Sequence, residues 1–247
     1  MKLSKLHTKW LILRCFWTTG FYSLKAFSKS LTGKPSRPWV DQLLDDWVSS
    51  LLNLVKTECI LVNPHQVEIE PGKPTIIMCN HSSAFDIPIC YKAFPMNSMR
   101  MLAKIELSRV PLLGRGMRAA EFPFVDRKNR NQAMKDMAYA RELMESGVLL
   151  WISPEGTRSM TGKLQPFKKG GFVMAINTNA TIIPIAIRGA FNIMPPKTFR
   201  LNLNQKAEIH IGEPVNAADY SLDDKEELLN LVYRRMKALA GESDPEA

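Results

Sequence analysis

The chain has 247 residues and a formal net charge of +9, and 45% of its residues are hydrophobic. This length and apolar content suffice for one substantial core, so nothing in them requires two domains. The four cysteines, Cys15, Cys59, Cys79 and Cys90, show no paired metal spacing and no dense disulfide pattern, which indicates buried thiols in a reducing compartment.

The positive charge is concentrated at the N-terminus. All lysines and arginines from Lys2 to Arg37 precede the first acidic residue, Asp41. Such an asymmetry suits a membrane surface that carries anionic lipid, or a nucleic-acid backbone. Large aromatic side chains are interleaved with these cations, which favours lipid, so no nucleic-acid partner is expected.

Large apolar side chains recur at three- and four-residue steps from Leu3 to Leu31, which predicts a helix with an apolar stripe. Its most apolar part, Trp10 to Leu24, is interrupted by Arg14 and falls short of the roughly 20 residues of a membrane-spanning helix. It lacks a small-residue cleavage site, so a secretory signal peptide is not predicted. Two alternatives stay open: an interfacial helix in the lipid headgroup region, and a helix packed on the protein's own core.

A breaker-rich connector, Gly33 to Pro38, precedes a second helical stripe between Trp39 and Val55. The predicted organisation is N-terminal amphipathic helices for membrane association over residues 1–58, an α/β domain over 59–240 and a disordered tail over 241–247.

Beyond this connector, strand-like and helix-like segments alternate, which predicts an α/β fold with a mixed central sheet flanked by helices. The predicted strands are Thr75 to Cys79, Met99 to Ala103, Ala120 to Val125, Val148 to Ser153, Thr181 to Ile187 and Ala207 to Ile211. The predicted helices are Asp86 to Ala93, Gln132 to Met144, Lys169 to Asn177, and Leu222 to Leu239 with Ser221 as its N-cap.

An imidazole and a carboxylate, His81 and Asp86, follow the first of these strands. Five positions on a continuous helix rotate a side chain by roughly 140°, so the two groups meet only across a tight turn, where Ser82 or Ser83 is the expected N-cap. An aspartate bonded to one ring nitrogen fixes the tautomer and stabilises the imidazolium, which describes a general base without a protein nucleophile. The alternative is a capping and turn pair on a loop.

A metal site is not expected. The other histidines, His7, His65 and His210, are scattered, and no second ligand lies at the short spacings that zinc sites favour.

Two further polar clusters follow predicted strands, where ligands of open α/β sheets tend to bind. Arg127 ends the segment Phe124 to Arg127, and Arg158 lies in the turn from Pro154 to Ser159. A guanidinium can hold two phosphate oxygens at once, so the two arginines predict anion binding. The alternative for each is an exposed charge of little energetic value.

Other residues near these arginines suit the same role. Gly156 permits an unusual backbone turn, and Thr157 supplies a hydroxyl. Glu155 is expected to hold one of the two arginines in place or to accept a substrate hydroxyl. Lys104, which follows its own predicted strand, is a weaker third cation.

Four segments together resemble the sequence blocks of the glycerolipid acyltransferases, whose best-known members are the lysophosphatidate (1-acylglycerol-3-phosphate) acyltransferases. In chain order, the segments are Asn80 to Asp86, Phe124 to Arg127, Pro154 to Ser159 and Ile183 to Ile185. The resemblance covers roughly residues 60 to 215. The first and third segments are its specific parts.

This resemblance implies that His81, oriented by Asp86, deprotonates the free hydroxyl of a lysophospholipid, which then attacks a thioester carbonyl directly. The residues that it assigns to the glycerol phosphate of the acceptor are Arg127, Glu155, Gly156 and Arg158. The donor would be acyl-CoA or acyl carrier protein, with no bound cofactor. The expected enzyme is an O-acyltransferase of phospholipid biosynthesis that makes phosphatidate at the cytoplasmic face of a membrane.

Two positions depart from the family pattern. Glu121 stands where glycine is common and is expected to narrow or recharge the acceptor pocket; Ser153 stands where an aromatic residue is common. An acyltransferase or transacylase that acts on a different lysolipid is therefore the nearest alternative. A non-catalytic membrane- or nucleic-acid-binding protein is the alternative from another class.

Overall fold

A computed structural model describes residues 5–95, 97–126 and 129–242. The helices are α1 (Lys5–Ser30), α2 (Arg37–Val55), α3 (Asp86–Cys90), α4 (Leu113–Ala119), α5 (Arg130–Glu145), α6 (Gly170–Asn177), α7 (Ala190–Ile193) and α8 (Lys225–Leu239), with 3-10 turns at Ile105–Arg109 and Ala217–Asp219. The strands are β1 (Glu58–Val62), β2 (Thr75–Cys79), β3 (Met99–Met101), β4 (Ala103–Lys104), β5 (Phe124–Val125), β6 (Leu149–Ile152), β7 (Thr181–Arg188), β8 (Lys206–Ile211) and β9 (Val215–Asn216).

The central sheet is built around β2, all of whose residues are buried. In the described part of the chain, the strands of this sheet follow the order β1, β8, β7, β2, β6 and β3, with β9 paired to β7. β2 pairs in parallel with β6 and β7, β3 pairs in parallel with β6, and β8 runs antiparallel to β7. The predicted mixed sheet is confirmed, and the carboxyl ends of β2, β3 and β6 lie at one edge.

Alternate residues of β2 face two different core layers, because successive side chains of a strand point to opposite faces. Ile77 and Cys79 pack with residues of α2, α3 and α7. Ile76 and Met78 pack with residues of α5, α6 and α8. Helices therefore cover both faces of the sheet, and this explains why β2 is apolar almost throughout.

The two N-terminal helices lie against the α/β domain. α2 buries a long apolar stripe, and α1 buries Leu11, Ile12 and Ala26. Gly116 of α4 allows α1 to approach closely, since a Cβ at this position would lie 2.5 Å from the carbonyl oxygen of Ser23. Within the described residues, no helix is both long enough and apolar enough to cross a membrane.

The opposite face of α1 is apolar and exposed to solvent. Its large exposed side chains are Leu6, Trp10, Leu13, Phe16, Trp17, Phe21 and Leu24. The helix thus packs on the core along one side, as one of the two alternatives predicted, and exposes large apolar side chains along the other; contact with lipid stays a prediction.

Some element boundaries differ from the prediction. The strand expected over Ala120 to Val125 is reduced to Phe124–Val125, because Glu121 has a φ of +62°, in the left-handed region that strands do not use. The helix expected to reach Ala93 ends at Cys90, where the backbone changes to hydrogen bonds between residues three apart. The N-cap of α8 is Asp224 and not Ser221, whose amide and hydroxyl both donate to the Asp224 carboxylate.

Arg100 of β3 is a fully buried cation that the sequence pattern did not reveal. Its Nε donates to the carbonyl oxygen of Ala120 at 2.7 Å, and its Nη1 donates to that of Met99 at 2.8 Å. Its Nη2 forms an ion pair with Oδ1 of Asp41 in α2 at 2.8 Å, at an angle that is poor for a hydrogen bond. Arg100 therefore ties α2 and the segment before β5 to the edge of the sheet.

We expect Arg100→Ala to lower the free energy of unfolding by roughly 3–5 kcal/mol, because it breaks a buried ion pair and leaves two buried carbonyl groups without their donors. Chemical denaturation in detergent micelles measures the change. Arg141→Ala is the matched control, since Arg141 is exposed and pairs with Glu145 on the surface of α5; it should cost less than about 1 kcal/mol. Equal effects of the two substitutions would contradict this role of Arg100.

Candidate active site

The turn after β2 is anchored by the side chain of Asn80. Its Nδ2 donates to the carbonyl oxygen of Ile187 at 3.1 Å, and its Oδ1 accepts from the amide of Ile187 at 2.7 Å. The asparagine side chain thus binds both the amide and the carbonyl group of Ile187 in β7. It replaces the backbone hydrogen bonds that the next residue of β2 would make in a longer strand. This contact fixes the point at which the chain leaves the sheet and His81 begins.

His81 and Asp86 meet across this turn, as the spacing predicted. Nδ1 of His81 lies 2.8 Å from Oδ2 of Asp86, which is completely buried. The same oxygen accepts the backbone amides of Ser82 at 2.6 Å and Ser83 at 2.7 Å. The expected serine N-cap is therefore wrong: α3 begins after Phe85, and the Asp86 carboxylate binds the serine amides instead.

These contacts determine the chemical state of the imidazole. A carboxylate that accepts two amide hydrogen bonds is an acceptor only, so Nδ1 of His81 carries the ring proton and Nε2 carries the lone pair. The edge of the His81 ring meets Trp151 of β6, with the centroids 5.8 Å apart. The side chain of His81 remains 19% exposed. A partly exposed imidazole whose other nitrogen is bound to a carboxylate can chemically accept a proton.

Glu155 follows β6 and lies directly beside this turn. Its Oε1 accepts the backbone amide of His81 at 2.7 Å, and its Oε2 accepts that of Gln165 at 2.9 Å. The sequence predicted that Glu155 holds Arg158 or Arg127, or accepts a substrate hydroxyl. No ion pair joins it to Arg158 among the described residues, which do not include Arg127. Glu155 therefore binds backbone amides. The sequence does not reveal this role, because His81 and Gln165 come close to Glu155 only in the folded chain.

The environment of Glu155 disfavours its charge. The pKa of this carboxyl is raised to about 7, mainly by burial and in smaller part by the neighbouring carboxylates of Asp86 and Glu242. The two amide hydrogen bonds, from His81 and Gln165, act in the other direction and favour the charged form.

The turn after Glu155 presents its polar groups to solvent. Gly156 has a φ of +72°, a conformation that favours glycine, and Thr157 and Arg158 are exposed. In the described part of the chain, the Arg158 guanidinium has neither a hydrogen bond nor an ion pair. Its charge is therefore available to a ligand at this edge of the sheet.

Lys104 is exposed and lies at the same side of the fold. It ends β4, which continues from β3, and it is opposite Val125 of β5 in the parallel pair. Val125 precedes Arg127 by two residues, and Arg127 itself lies outside the described residues. The tertiary structure thus places Lys104 next to the backbone that leads to Arg127.

An apolar cavity of about 190 Å³ lies between α1, α2 and α4. Ala84 and Ile87, from the turn and helix that carry Asp86, contribute to its wall. Ser23 of α1 and Gly116 of α4 also line it. The N-terminal helices therefore close an apolar space whose other boundary belongs to the His81 turn.

No group of three or more His, Cys, Asp or Glu side chains suited to a metal ion occurs within residues 5–95, 97–126 and 129–242. His210 pairs with Glu208 on β8, with Nε2 and Oε2 2.8 Å apart.

Comparison with known proteins identifies the family. The sequence model of the family described as Acyltransferase matches residues 61–188, just over half of the chain. The chain belongs to the acyltransferase family. This match spans the segments around His81, Arg127 and Glu155, and it confirms the resemblance inferred from the sequence blocks.

Curated relatives of this acyltransferase carry a common enzyme name. The 1-acyl-sn-glycerol-3-phosphate acyltransferase of Cocos nucifera is 30% identical over 191 residues, which cover 76% of this chain and 60% of that protein. The 1-acyl-sn-glycerol-3-phosphate acyltransferase alpha of Mus musculus is 29% identical over 167 residues, which cover 67% of this chain and 58% of that protein. The chain thus spans about three fifths of the length of these relatives.

A solved structure shows the same fold. The crystal structure of the 1-acyl-sn-glycerophosphate (LPA) acyltransferase PlsC from Thermotoga maritima aligns with a TM-score of 0.76 and 23% identity, over 95% of this chain and 93% of that one. The alignment therefore extends well beyond residues 61–188, the stretch that the family model matches.

The two departures from the family pattern have different surroundings. The buried carboxylate of Glu121 accepts a hydrogen bond from Nε of Arg37 at 3.0 Å. Its other oxygen lies 3.2 Å from Nζ of Lys34. The charge of Glu121 therefore faces the connector before α2. Ser153 has a buried hydroxyl without a hydrogen-bond partner among the described residues.

The raised pKa of Glu155 predicts a pH-dependent stability of the acyltransferase. Because the folded state binds this proton more tightly than the unfolded chain, stability is highest below the ordinary carboxyl pKa and falls as pH rises towards about 7. We expect the wild type to lose roughly 3 kcal/mol more than Glu155→Gln between pH 4.5 and 7.5. Denaturation at several pH values measures the difference.

Glu227→Gln is the control, since Glu227 is exposed on α8. Its stability should follow the wild-type pH profile. A Glu155→Gln protein with the same profile as the wild type would contradict the proton uptake assigned to Glu155.

Proposed function

We propose that this acyltransferase transfers a fatty acyl group from a thioester to the free hydroxyl of lysophosphatidate and so makes phosphatidate. The observation that carries the proposal is the hydrogen bond of 2.8 Å between the His81 ring and buried Asp86, at a sheet edge that also presents exposed cations. The family match and the names of the curated relatives support the reaction and the acceptor.

His81 acts as the general base in this proposal. Its Nε2 removes the proton of the acceptor hydroxyl as the hydroxyl oxygen attacks the thioester carbonyl carbon. When the C–S bond of the resulting tetrahedral species breaks, the imidazolium returns the proton to the departing thiolate. Asp86 stabilises the imidazolium through Nδ1, and a base of this kind contributes about 10²–10⁴-fold to the rate.

The cations bind the phosphate of the acceptor. Exposed Arg158 can donate two hydrogen bonds to phosphate oxygens, with Gly156 and Thr157 beside it. Lys104 and Arg127 supply further positive charge from the end of β4 and the segment after β5. For Glu155 we propose a role in positioning the His81 backbone in place of the acceptor contact implied by the family.

The donor in this proposal is acyl-CoA or acyl carrier protein, both of which carry the required thioester on an anionic carrier. The net charge of +9 suits either one. The apolar cavity between α1, α2 and α4 provides a space of matching chemistry for an acyl chain, since its lining is predominantly aliphatic and aromatic. No bound cofactor is required by these steps.

Acylation of lysophosphatidate in detergent micelles tests the function. We expect His81→Ala to lower kcat by roughly 10²–10⁴-fold, because the general base is lost. His210→Ala is the matched control, since that histidine lies on β8 with Glu208 as its partner; it should retain wild-type turnover. Full turnover by His81→Ala would refute the mechanism.

The acceptor is tested separately with a lysolipid that lacks a terminal phosphomonoester. Turnover with lysophosphatidate should exceed that with lysophosphatidylcholine, because the exposed cations favour the doubly charged phosphate. Activity with lysophosphatidylcholine and none with lysophosphatidate would replace the proposed acceptor by a different lysolipid.

We further propose that α1 binds the membrane surface through its exposed apolar face. Phe16 is 70% exposed and Trp17 72% exposed, and Lys9, Arg14 and Lys25 on the same helix can meet anionic headgroups. The four cysteines are free thiols, which suits a reducing compartment and the cytoplasmic face of a membrane.

Sedimentation with anionic liposomes tests this membrane contact. The double variant Phe16→Ser/Trp17→Ser should lower binding at least about tenfold, since each large side chain contributes roughly 1.5–3 kcal/mol when buried. Tyr139→Ser/Leu222→Ser is the control, because these side chains are 43% and 45% exposed on other elements. Unchanged binding of the α1 variant would show that another surface contacts the membrane.

A further inference from the structure

The chain after α8 returns to the loop beside the candidate active site. Arg188, at the end of β7, donates from Nε to the carbonyl oxygen of Leu239 at 2.7 Å and so fixes the end of α8. Gly241 then turns the backbone with a φ of +74°, and the amide of Glu242 donates to the carbonyl oxygen of Lys237 at 3.0 Å. The position of Glu242 is thus determined by the helix and by β7.

The carboxylate of Glu242 binds the loop that follows the Pro154 to Ser159 turn. Its Oε1 accepts the backbone amide of Leu164 at 2.7 Å. The next amide along the chain, that of Gln165, donates to Oε2 of Glu155 at 2.9 Å. Two carboxylates therefore hold two consecutive amides of one loop.

The other oxygen of Glu155 completes a path to the catalytic turn. It accepts the amide of His81 at 2.7 Å, and the carbonyl oxygen of His81 accepts the amide of Ser159 at 2.7 Å. Both backbone groups of His81 are thus bound by the segment between Glu155 and Gln165. Glu242 lies outside the stretch of residues 61–188 that matches the family.

We infer that Glu242 is a positioning residue for acyl transfer, which acts through the Leu164 and Gln165 amides and Glu155 on the backbone of His81. This inference rests on the proposed function. It assigns to a residue beyond α8 the task of holding the loop that supports the general base.

The charges around Glu155 support the same relationship. Burial is the main cause of its raised pKa, and Asp86 and Glu242 add to it, so Glu242 is close enough to affect this carboxyl electrostatically as well as through the loop. Cys79, which is also affected by the Glu155 charge, lies below the turn as a buried thiol.

Hydrogen exchange measured by mass spectrometry tests the path without any substrate. Glu242→Ala should increase exchange in peptides that contain Leu164 and Gln165 and also in peptides that contain His81, which Glu242 does not touch. Glu242→Gln keeps an oxygen acceptor and should exchange like the wild type. An increase confined to the Leu164 peptide would overturn the inference.

Kinetics provide the second measurement. Glu242→Ala should lower kcat about 3- to 10-fold with little change in the KM for lysophosphatidate, and Glu242→Gln should restore kcat to within about twofold. Glu227→Ala, which removes one exposed carboxylate elsewhere on α8, is the control. A wild-type kcat in Glu242→Ala, together with loss of turnover in His81→Ala, would refute the positioning role and leave the proposed function intact. If the wild type transfers no acyl group, the proposed function fails. The exchange measurement then still tests whether Glu242 acts on the backbone of His81 through the loop.

Discussion

The carboxylate of Asp86 is the group on which this site depends. Its Oδ2 accepts hydrogen bonds from Nδ1 of His81 and from the backbone amides of Ser82 and Ser83. The three donor–acceptor distances lie between 2.6 and 2.8 Å. A fully buried carboxylate loses its water, and these short hydrogen bonds compensate for that loss. The contacts that stabilise the ion also fold the turn after β2 and fix the tautomer of the imidazole. Chain folding and proton chemistry therefore rest on one interaction.

Further carboxylates extend this arrangement through backbone groups. Glu155 holds the His81 amide, and Glu242 holds the loop that approaches Glu155 from the other side. Burial and the nearby carboxylates of Asp86 and Glu242 destabilise the charged form of Glu155, and this raises its pKa. These hydrogen bonds hold both sides of the backbone at His81, and the proposed function requires such a fixed imidazole because it depends on the alignment of two substrates.

The N-terminal helix α1 has two different faces. One side of α1 packs on the domain and closes the apolar cavity, and the other side exposes aromatic rings. Two ion pairs, each with one buried partner, hold α2 in place: Arg100 with Asp41 and Arg37 with Glu121. The helix with the exposed aromatic face and the turn that carries Asp86 thus border the same cavity.

The sequence by itself determined the alternation of strands and helices, the strand before His81, the pairing of His81 with Asp86 and the family. These features depend on periodicity and on residues close together in the chain, which local physics fixes. Tertiary structure decided the partners of Glu155, the burial of Arg100 and the contact of Glu242 with Leu164, which is 78 residues away in the chain. No local pattern marks such pairs, because a carboxylate or guanidinium takes whichever amide, carbonyl or ion the packed helices and sheet place within reach. The sequence therefore specified which groups are present, and the packing of distant segments specified what each one holds.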